Sequence, residues 1–287
     1  MRSGRIDRRS HCSSLRVADV ETMYLPPAAK AFDAVAETFD ERFGGWASVA
    51  AQRRAVRAEL VRAFAPGTRI IEIGGGTGED ALWLARMGRE VLLTDPSPTM
   101  VRIASAKLRP YDMPSPIAVA AEDLESIATT APFDGAFSNF AALNCVTNLA
   151  AVAGGLGKLV RPGGRLLLVL FGAFAPGEWV TQIARGDARN AFRRSARGDV
   201  KARLGGRTFS VRYHRRRELI ESFAPAFRLV GRRGIGVFVP PSAAEPWITS
   251  HLRLLGALER MDRFASRQLA MFGDHVLYEF VRMETPV

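Results

Sequence analysis

Residues 70–80 read IIEIGGGTGED. An apolar run carrying one acid, Glu72, meets four glycines within positions 74–78, and the acid pair Glu79–Asp80 follows. Glycine adopts positive φ without a Cβ penalty and lets a ligand lie against bare main chain. Between a strand and a helix, such a turn aims its N–H groups and the positive helix end at the carboxyl edge of a sheet, where open α/β sheets bind ligands. The spacing is Glu72-x-Gly74-x-Gly76-x-Gly78. It is not the dinucleotide fingerprint GxGxxG, whose third glycine would fall on Glu79, and no GK[ST] follows to make a phosphate-binding P-loop.

The flanking pattern supplies the strand and the helix. RIIEI (69–73) predicts a short buried strand, and EDALWLARMG (79–88) a helix ending at Gly88. EVLLTD (90–95) predicts the next strand. SPTMVRIASAKL (97–108) predicts a helix with Ser97 as N-cap and Pro98 at its first position. PIAVAAEDL (116–124) reads as a strand, FDGAFSNFAAL (133–143) contains another, and LAAVAGGLGKLV (149–160) is a helix. RPGG (161–164) is a turn and RLLLVLFG (165–172) a strand. Strands alternating with helices at this spacing imply a parallel sheet covered on both faces. Upstream, Phe32, Val35, Ala36 and Phe39 fall at helical spacing within 28–43, and a second helix over 47–64 stops at Pro66-Gly67.

After Phe174 the rhythm changes. Residues 201–214 read as a hairpin about Gly205-Gly206, and 216–225 as a helix closed by Pro225. Residues 227–240 and 275–283 read as late strands, with a helical stretch over 247–272 between them. The expected organisation is a poorly ordered N-terminal extension (1–22), cap helices (23–64) and a ligand-binding core (65–174). A basic insertion or flap over the site (175–226) and C-terminal strands and helix completing the sheet (227–287) follow. Met23 opens the segment expected to begin the folded part and is an alternative to Met1 as the translation start.

The 287 residues are 47% hydrophobic, enough for one sizeable core. No apolar run of membrane-spanning length occurs, and the basic N-terminus lacks the apolar core of a secretory signal. Two cysteines, Cys12 and Cys145, supply neither a disulfide framework nor a metal site, so a reducing, cytoplasmic compartment is expected. The net charge of +11 is unevenly placed. Residues 185–217 hold 12 Arg or Lys against 2 Asp, residues 1–16 hold 5 Arg against 1 Asp, and the remainder is slightly acidic, with 23 basic against 26 acidic residues.

ExGxGxG after a first strand, with Asp95 ending the second strand 17 residues beyond Gly78, resembles the class I S-adenosylmethionine-dependent methyltransferases. The resemblance is to their small-molecule, type 11/25-like branch, and covers roughly residues 28–174. FDAVAETFDERF (32–43) is similar to the N-terminal cap helix of that branch, and LVRPGGRLLLV (159–169) to its fifth strand and preceding turn. The resemblance implies an α/β, Rossmann-like, doubly wound, seven-stranded and mostly parallel sheet with an inserted substrate lid. It implies S-adenosyl-L-methionine as cofactor. Glu72 and the turn through Gly74, Gly76, Thr77 and Gly78 would hold its ammonium end, and Asp95 its ribose hydroxyls. Met100 and Pro96 would pack on the adenine. Asp123 or Glu122 would accept from the adenine amino group, with the Leu124 N–H near a ring nitrogen. The family pattern often carries that acid where this chain has Ala120 and Ala121. Asn139 and Phe140 fall where methyl group and acceptor meet, and Phe39 is the cap aromatic expected over the cofactor.

Methyl transfer from a sulfonium is an in-line displacement that mainly needs alignment and exclusion of water. A missing catalytic motif is therefore expected. His214, with Tyr213 beside it at the end of the hairpin, is the candidate for a group near the acceptor. His275, beside Asp274, is read as structural, and His11 falls in the N-terminal extension. The Arg-rich segment suits an anionic or lipid-like small acceptor, while its sparse aromatics (Phe192, Phe209, Tyr213) make nucleic acid the lesser option. The expected function is methyl transfer to a small molecule. The alternatives are an RNA methyltransferase docking through 185–217 and a catalytically silent cofactor-binding protein.

Overall fold

The computed structural model describes residues 25–187, 191–195, 198–224 and 226–284. The extension 1–22, with His11 and Cys12, and the closing Pro225 lie outside the described residues. The central sheet contains β1 (Arg69–Ile73), β2 (Glu90–Asp95), β3 (Ile117–Ala118), β4 (Phe133–Ser138), β5 (Val160–Phe171), β8 (Phe227–Ile235) and β9 (His275–Arg282). Its seven strands run in the order β3-β2-β1-β4-β5-β9-β8. All neighbours from β3 to β5 are parallel, and β9 alone runs antiparallel to both its neighbours. β6 (Asp199–Leu204) and β7 (Arg207–Arg212) form a separate two-stranded sheet joined by the Gly205-Gly206 turn.

Alternation along the strands sends side chains into two apolar layers. Ile71, Ile73, Leu166, Leu168 and Leu170 face a core closed by α6 (Leu149–Leu159) and α8 (Arg216–Phe223), through Val152, Leu156, Leu219 and Phe223. Ile70, Leu93, Leu167 and Val169 face the opposite layer. There α3 (Ala47–Ala63), α4 (Glu79–Arg86) and α5 (Pro98–Leu108) contribute Leu60, Leu84 and Leu108. Side chains buried on both faces explain why these strands read as continuous apolar runs. α7 (Pro176–Ala184) follows β5, and α9 (Leu252–Ala265) packs Leu255 beside Ala51 of α3.

The helical stretch expected over 247–272 is α-helical only over Leu252–Ala265, the strand expected over 227–240 ends at Ile235, and three elements nearer the glycine turn also differ from those expected. The helix expected over 28–43 is α1 (Pro27–Asp33), a 3₁₀ turn at Ala36–Thr38 and α2 (Phe39–Gly44). The chain breaks where Asp33 turns to accept from the Ser97 hydroxyl (2.6 Å) and the Thr99 N–H (3.0 Å) at the start of α5. The strand expected over 116–124 is only two residues long, and Ala121–Ser126 is 3₁₀-helical. Ala, Glu and Asp are poor strand formers, and the turn places Leu124 fully in the core against Gly155 of α6. The RPGG turn lies within β5, where the register with β4 shifts between Phe133 and Gly135. Among the described residues no helix is long and apolar enough to cross a membrane.

Candidate active site

The glycine turn sits at the carboxyl ends of β1 and β2. Its glycines have different reasons to be glycine. A Cβ on Gly74 would lie 2.4 Å from the Ala142 Cβ, so the fold itself forbids a side chain there. Gly76 has φ +55°, yet a Cβ there would meet only the Met100 sulfur, at 4.0 Å, so its bare face opens to the crevice. The Gly76 N–H donates to Asp95 Oδ2 and the Ser97 N–H to Asp95 Oδ1, each at 2.9 Å. Burial pushes the Asp95 carboxyl up to about 6, against the pull of those two donors, and the Asp33 charge adds to the rise.

Glu72 is buried at 2% exposure, and its Oε2 has no hydrogen-bond partner among the described residues. Burial first, then the neighbouring Asp80 charge, push its carboxyl well above the usual range, with Arg53 opposing. Asp80 opens α4 and accepts from Arg57 Nε at 2.7 Å and from Asn139 Nδ2 at 2.7 Å. Asn139 Oδ1 in turn accepts from the Phe140 N–H at 2.8 Å. Phe140 and Ala141 both have positive φ, 46° and 61°, a costly conformation for residues with side chains. The Arg53 guanidinium lies 4.9 Å from the Phe140 ring centre.

The cap helices latch onto this edge. Thr77 Oγ1 donates to Asp40 Oδ1 at 2.6 Å, and Lys107 bridges Asp40 and Glu79 at 2.5 and 2.6 Å. Phe39 is half-buried in the aromatic series Phe32, Phe39, Phe43. Met100 is buried and Pro96 half-buried. Of the two acids after β3, Asp123 is exposed, whereas Glu122 is half-buried and accepts from the Thr147 N–H at 3.2 Å. Cys145 lies between the cofactor edge and the hairpin. Burial, then the charges of Asp95 and Glu122, push its thiol up to about 12.

His214 does not face an open acceptor space. Its Nε2 lies 3.2 Å from the Leu143 carbonyl and its Nδ1 3.2 Å from Glu218 Oε1, so both ring nitrogens are taken by a clamp between α8 and the loop after β4. The assignment of His214 as a group near the acceptor is withdrawn on that ground. Tyr213 beside it packs tilted on Phe171, with ring centres 5.7 Å apart.

Residues 70–164 match the family model described as Methyltransferase domain. Over that segment the chain is similar to a methyltransferase domain. No curated relative matches the sequence. Among solved structures, the 1,6-didemethyltoxoflavin-N1-methyltransferase of Burkholderia thailandensis is 18% identical, covering 96% of this chain and 99% of its own, with a TM-score of 0.53. The CcbJ methyltransferase of Streptomyces caelestis is 16% identical, covering 88% and 98%, at 0.55. The [4+2]-cyclase SpnF is 16% identical, covering 90% and 96%, at 0.57. These likenesses establish the fold, and a cyclase among them shows that the fold alone does not choose the reaction.

Several residues of this edge were not singled out by sequence. Asp80, Arg53 and Arg57 form the polar link from α3 to the Asn139 loop. Asn144, 1% exposed, donates to the Arg212 carbonyl at 2.6 Å and accepts from the Phe171 N–H at 3.0 Å, tying β7 to the end of β5. The acid pair 79–80 was visible in sequence, but the partners come from elements far along the chain.

Proposed function

We propose that this protein transfers a methyl group from S-adenosylmethionine to a small-molecule acceptor held beneath the β6–β7 hairpin. The residues of the crevice fit that cofactor. Glu72 keeps a buried, unpartnered oxygen suited to an ammonium. Each Asp95 oxygen accepts one main-chain donor and has a further lone pair for a ribose hydroxyl. The open face of Gly76 and the Met100 side chain form a slot for the adenosyl group. Glu122 replaces Asp123 as acceptor for the adenine amino group, because Asp123 is exposed. The bound cofactor supplies a methyl group on a sulfonium, which leaves as a neutral thioether. The chain's residues then have to hold the acceptor in line and keep water out.

The observation that carries the choice of a small acceptor is the roof. Phe209 and Val211 on the inner hairpin face pack with Ala28, Ala31 and Phe32 of α1, and with Cys145, Phe171 and Tyr213. We read this packed apolar cover as the lid of the acceptor site, which suits a compact ligand rather than a polymer. Part of the basic segment is also paired within the chain. Arg193 and Arg194 pair with Glu178, Arg194 with Asp274, Arg212 with Asp199 and Arg217 with Glu221. The compartment proposed is the reducing cytoplasm, on the cysteine count. Incubation with labelled S-adenosylmethionine and separate pools of small metabolites and of RNA tests the reading. Label is expected in the small-molecule pool, and label confined to RNA would reverse the assignment.

A further inference from the structure

A second charged cluster lies beyond the cofactor crevice. Because β9 is antiparallel, its first residue is delivered to the edge where the parallel strands end. His275 stands opposite Phe171, the last residue of β5. Its ring stacks on Phe171, with centres 4.9 Å apart, and meets the Phe140 ring edge-on at 5.9 Å. Phe140 directly follows Asn139, so the imidazole packs against the loop assigned to the meeting of methyl group and acceptor.

His275 Nδ1 lies 3.3 Å from Asp274 Oδ2, within ion-pair distance, and is buried without a well-aligned hydrogen bond. Catalytic pairs are often long in the free protein and tighten when substrate binds. Asp274 is itself fixed from both sides. Its Oδ1 lies 2.6 Å from Arg194 Nη2, and its Oδ2 accepts from Gln52 Nε2 at 3.1 Å. Burial alone would raise the Asp274 carboxyl, but Arg194 and His275 hold it well below the usual range. The other charged and titratable groups around the ring are Arg194, over the Phe171 ring at 4.9 Å, Tyr213 beside it, and Arg53 across Phe140.

We infer that His275 is the general base of the reaction and Asp274 its positioning residue, which makes the acceptor a compound whose reacting oxygen or nitrogen carries a proton. The inference rests on the methyl-transfer reading above. A carboxylate behind Nδ1 fixes the tautomer and leaves Nε2 to take a proton. In the step, a lone pair of the acceptor forms a bond to the methyl carbon while the methyl–sulfur bond breaks. The sulfur keeps that electron pair as a neutral thioether. The acceptor proton passes to Nε2 and then to solvent. An already activated carbon or sulfur acceptor would have no use for this arrangement.

Carbethoxylation by diethylpyrocarbonate, mapped by mass spectrometry on the full chain, reads Nε2 without knowledge of the acceptor. His275 is expected to label and His214 to resist. In a folded Asp274→Asn chain, which no longer holds the ring from its Nδ1 side, labelling at His275 is expected to slow. An unlabelled His275, or unchanged labelling in a folded Asp274→Asn chain, overturns the dyad. Should Asp274→Asn fail to fold, labelling of the native chain and the His275→Gln chain decide the question. His275→Gln is expected to bind S-adenosylhomocysteine within about twofold of the native affinity while methyl incorporation into pools of phenols, alcohols and amines falls on the order of 10²–10⁴-fold. Undiminished incorporation overturns the base but leaves the methyltransferase reading intact. Failure of the native chain to bind S-adenosylhomocysteine sinks that reading instead, whatever His275 does with the reagent.

Discussion

At the scale of the residue, the glycine turn separates what the fold needs from what the ligand needs. Gly74→Ala forces a Cβ against Ala142 and is expected to destabilise the protein by roughly 1–3 kcal/mol in denaturant unfolding. Gly76→Ala meets no such wall. It is expected to cost only about 1–2 kcal/mol for its left-handed backbone, yet to weaken S-adenosylhomocysteine binding sharply in calorimetry, because its Cβ enters the crevice. Asp95→Ala is expected to weaken the same binding by roughly 1–3 kcal/mol, the scale of a hydrogen bond to a charged group. Asp95 also gives the pH dependence its sign. Its folded-state carboxyl is raised from 3.8 to about 6, so its contribution to folding is present at low pH and is lost as pH rises through about 6. Binding runs the other way, since the ribose requires the ionised form. Affinity is therefore expected to be flat above pH about 6 and to fall in acid by up to about tenfold per unit. A pH series on the Asp95→Asn chain should flatten that fall.

At the scale of the element, the sheet carries the cofactor edge, while the cap helices and the hairpin close it. β1 and β2 begin and end where the sequence placed them, and Ser97 caps α5 with its side chain accepting from the Met100 N–H, as its position before Pro98 suggested. Those elements were legible because their signals are local: an apolar run, a cap, a terminating glycine. The break between α1 and α2 was not legible, because it depends on Asp33 reaching α5 across 64 residues of chain. The hairpin depends on Asn144 in the same way. Asn144→Ala leaves the Arg212 carbonyl and the Phe171 N–H without that partner. It is expected to cost about 1–3 kcal/mol and to speed amide exchange in β6 and β7 before the central sheet.

At the scale of the whole molecule, the charge excess and the active-site edge prove to be connected. Arg194 is 5% exposed and joins Glu178 after β5 to Asp274 before β9. Arg194→Met removes the arginine from buried Asp274 and leaves Glu178 with Arg193 alone, and is expected to destabilise the chain by roughly 3–5 kcal/mol, measured by urea unfolding near neutral pH. From the sequence, Arg194 was one of many arginines in a basic segment, with nothing to distinguish it from its exposed neighbours. By itself the sequence determined the alternating sheet, the bare turn at 74–78 and the acids at 72 and 95. Each of those follows from side-chain period, backbone freedom or burial within a few residues. Only the tertiary structure decided that His214 is clamped while His275 stacks on Phe171, that Glu122 is half-buried while Asp123 is exposed, and that Asp80 anchors Asn139. Those outcomes depend on which distant elements meet at the carboxyl edge, and on one strand running against the rest, which no local pattern encodes.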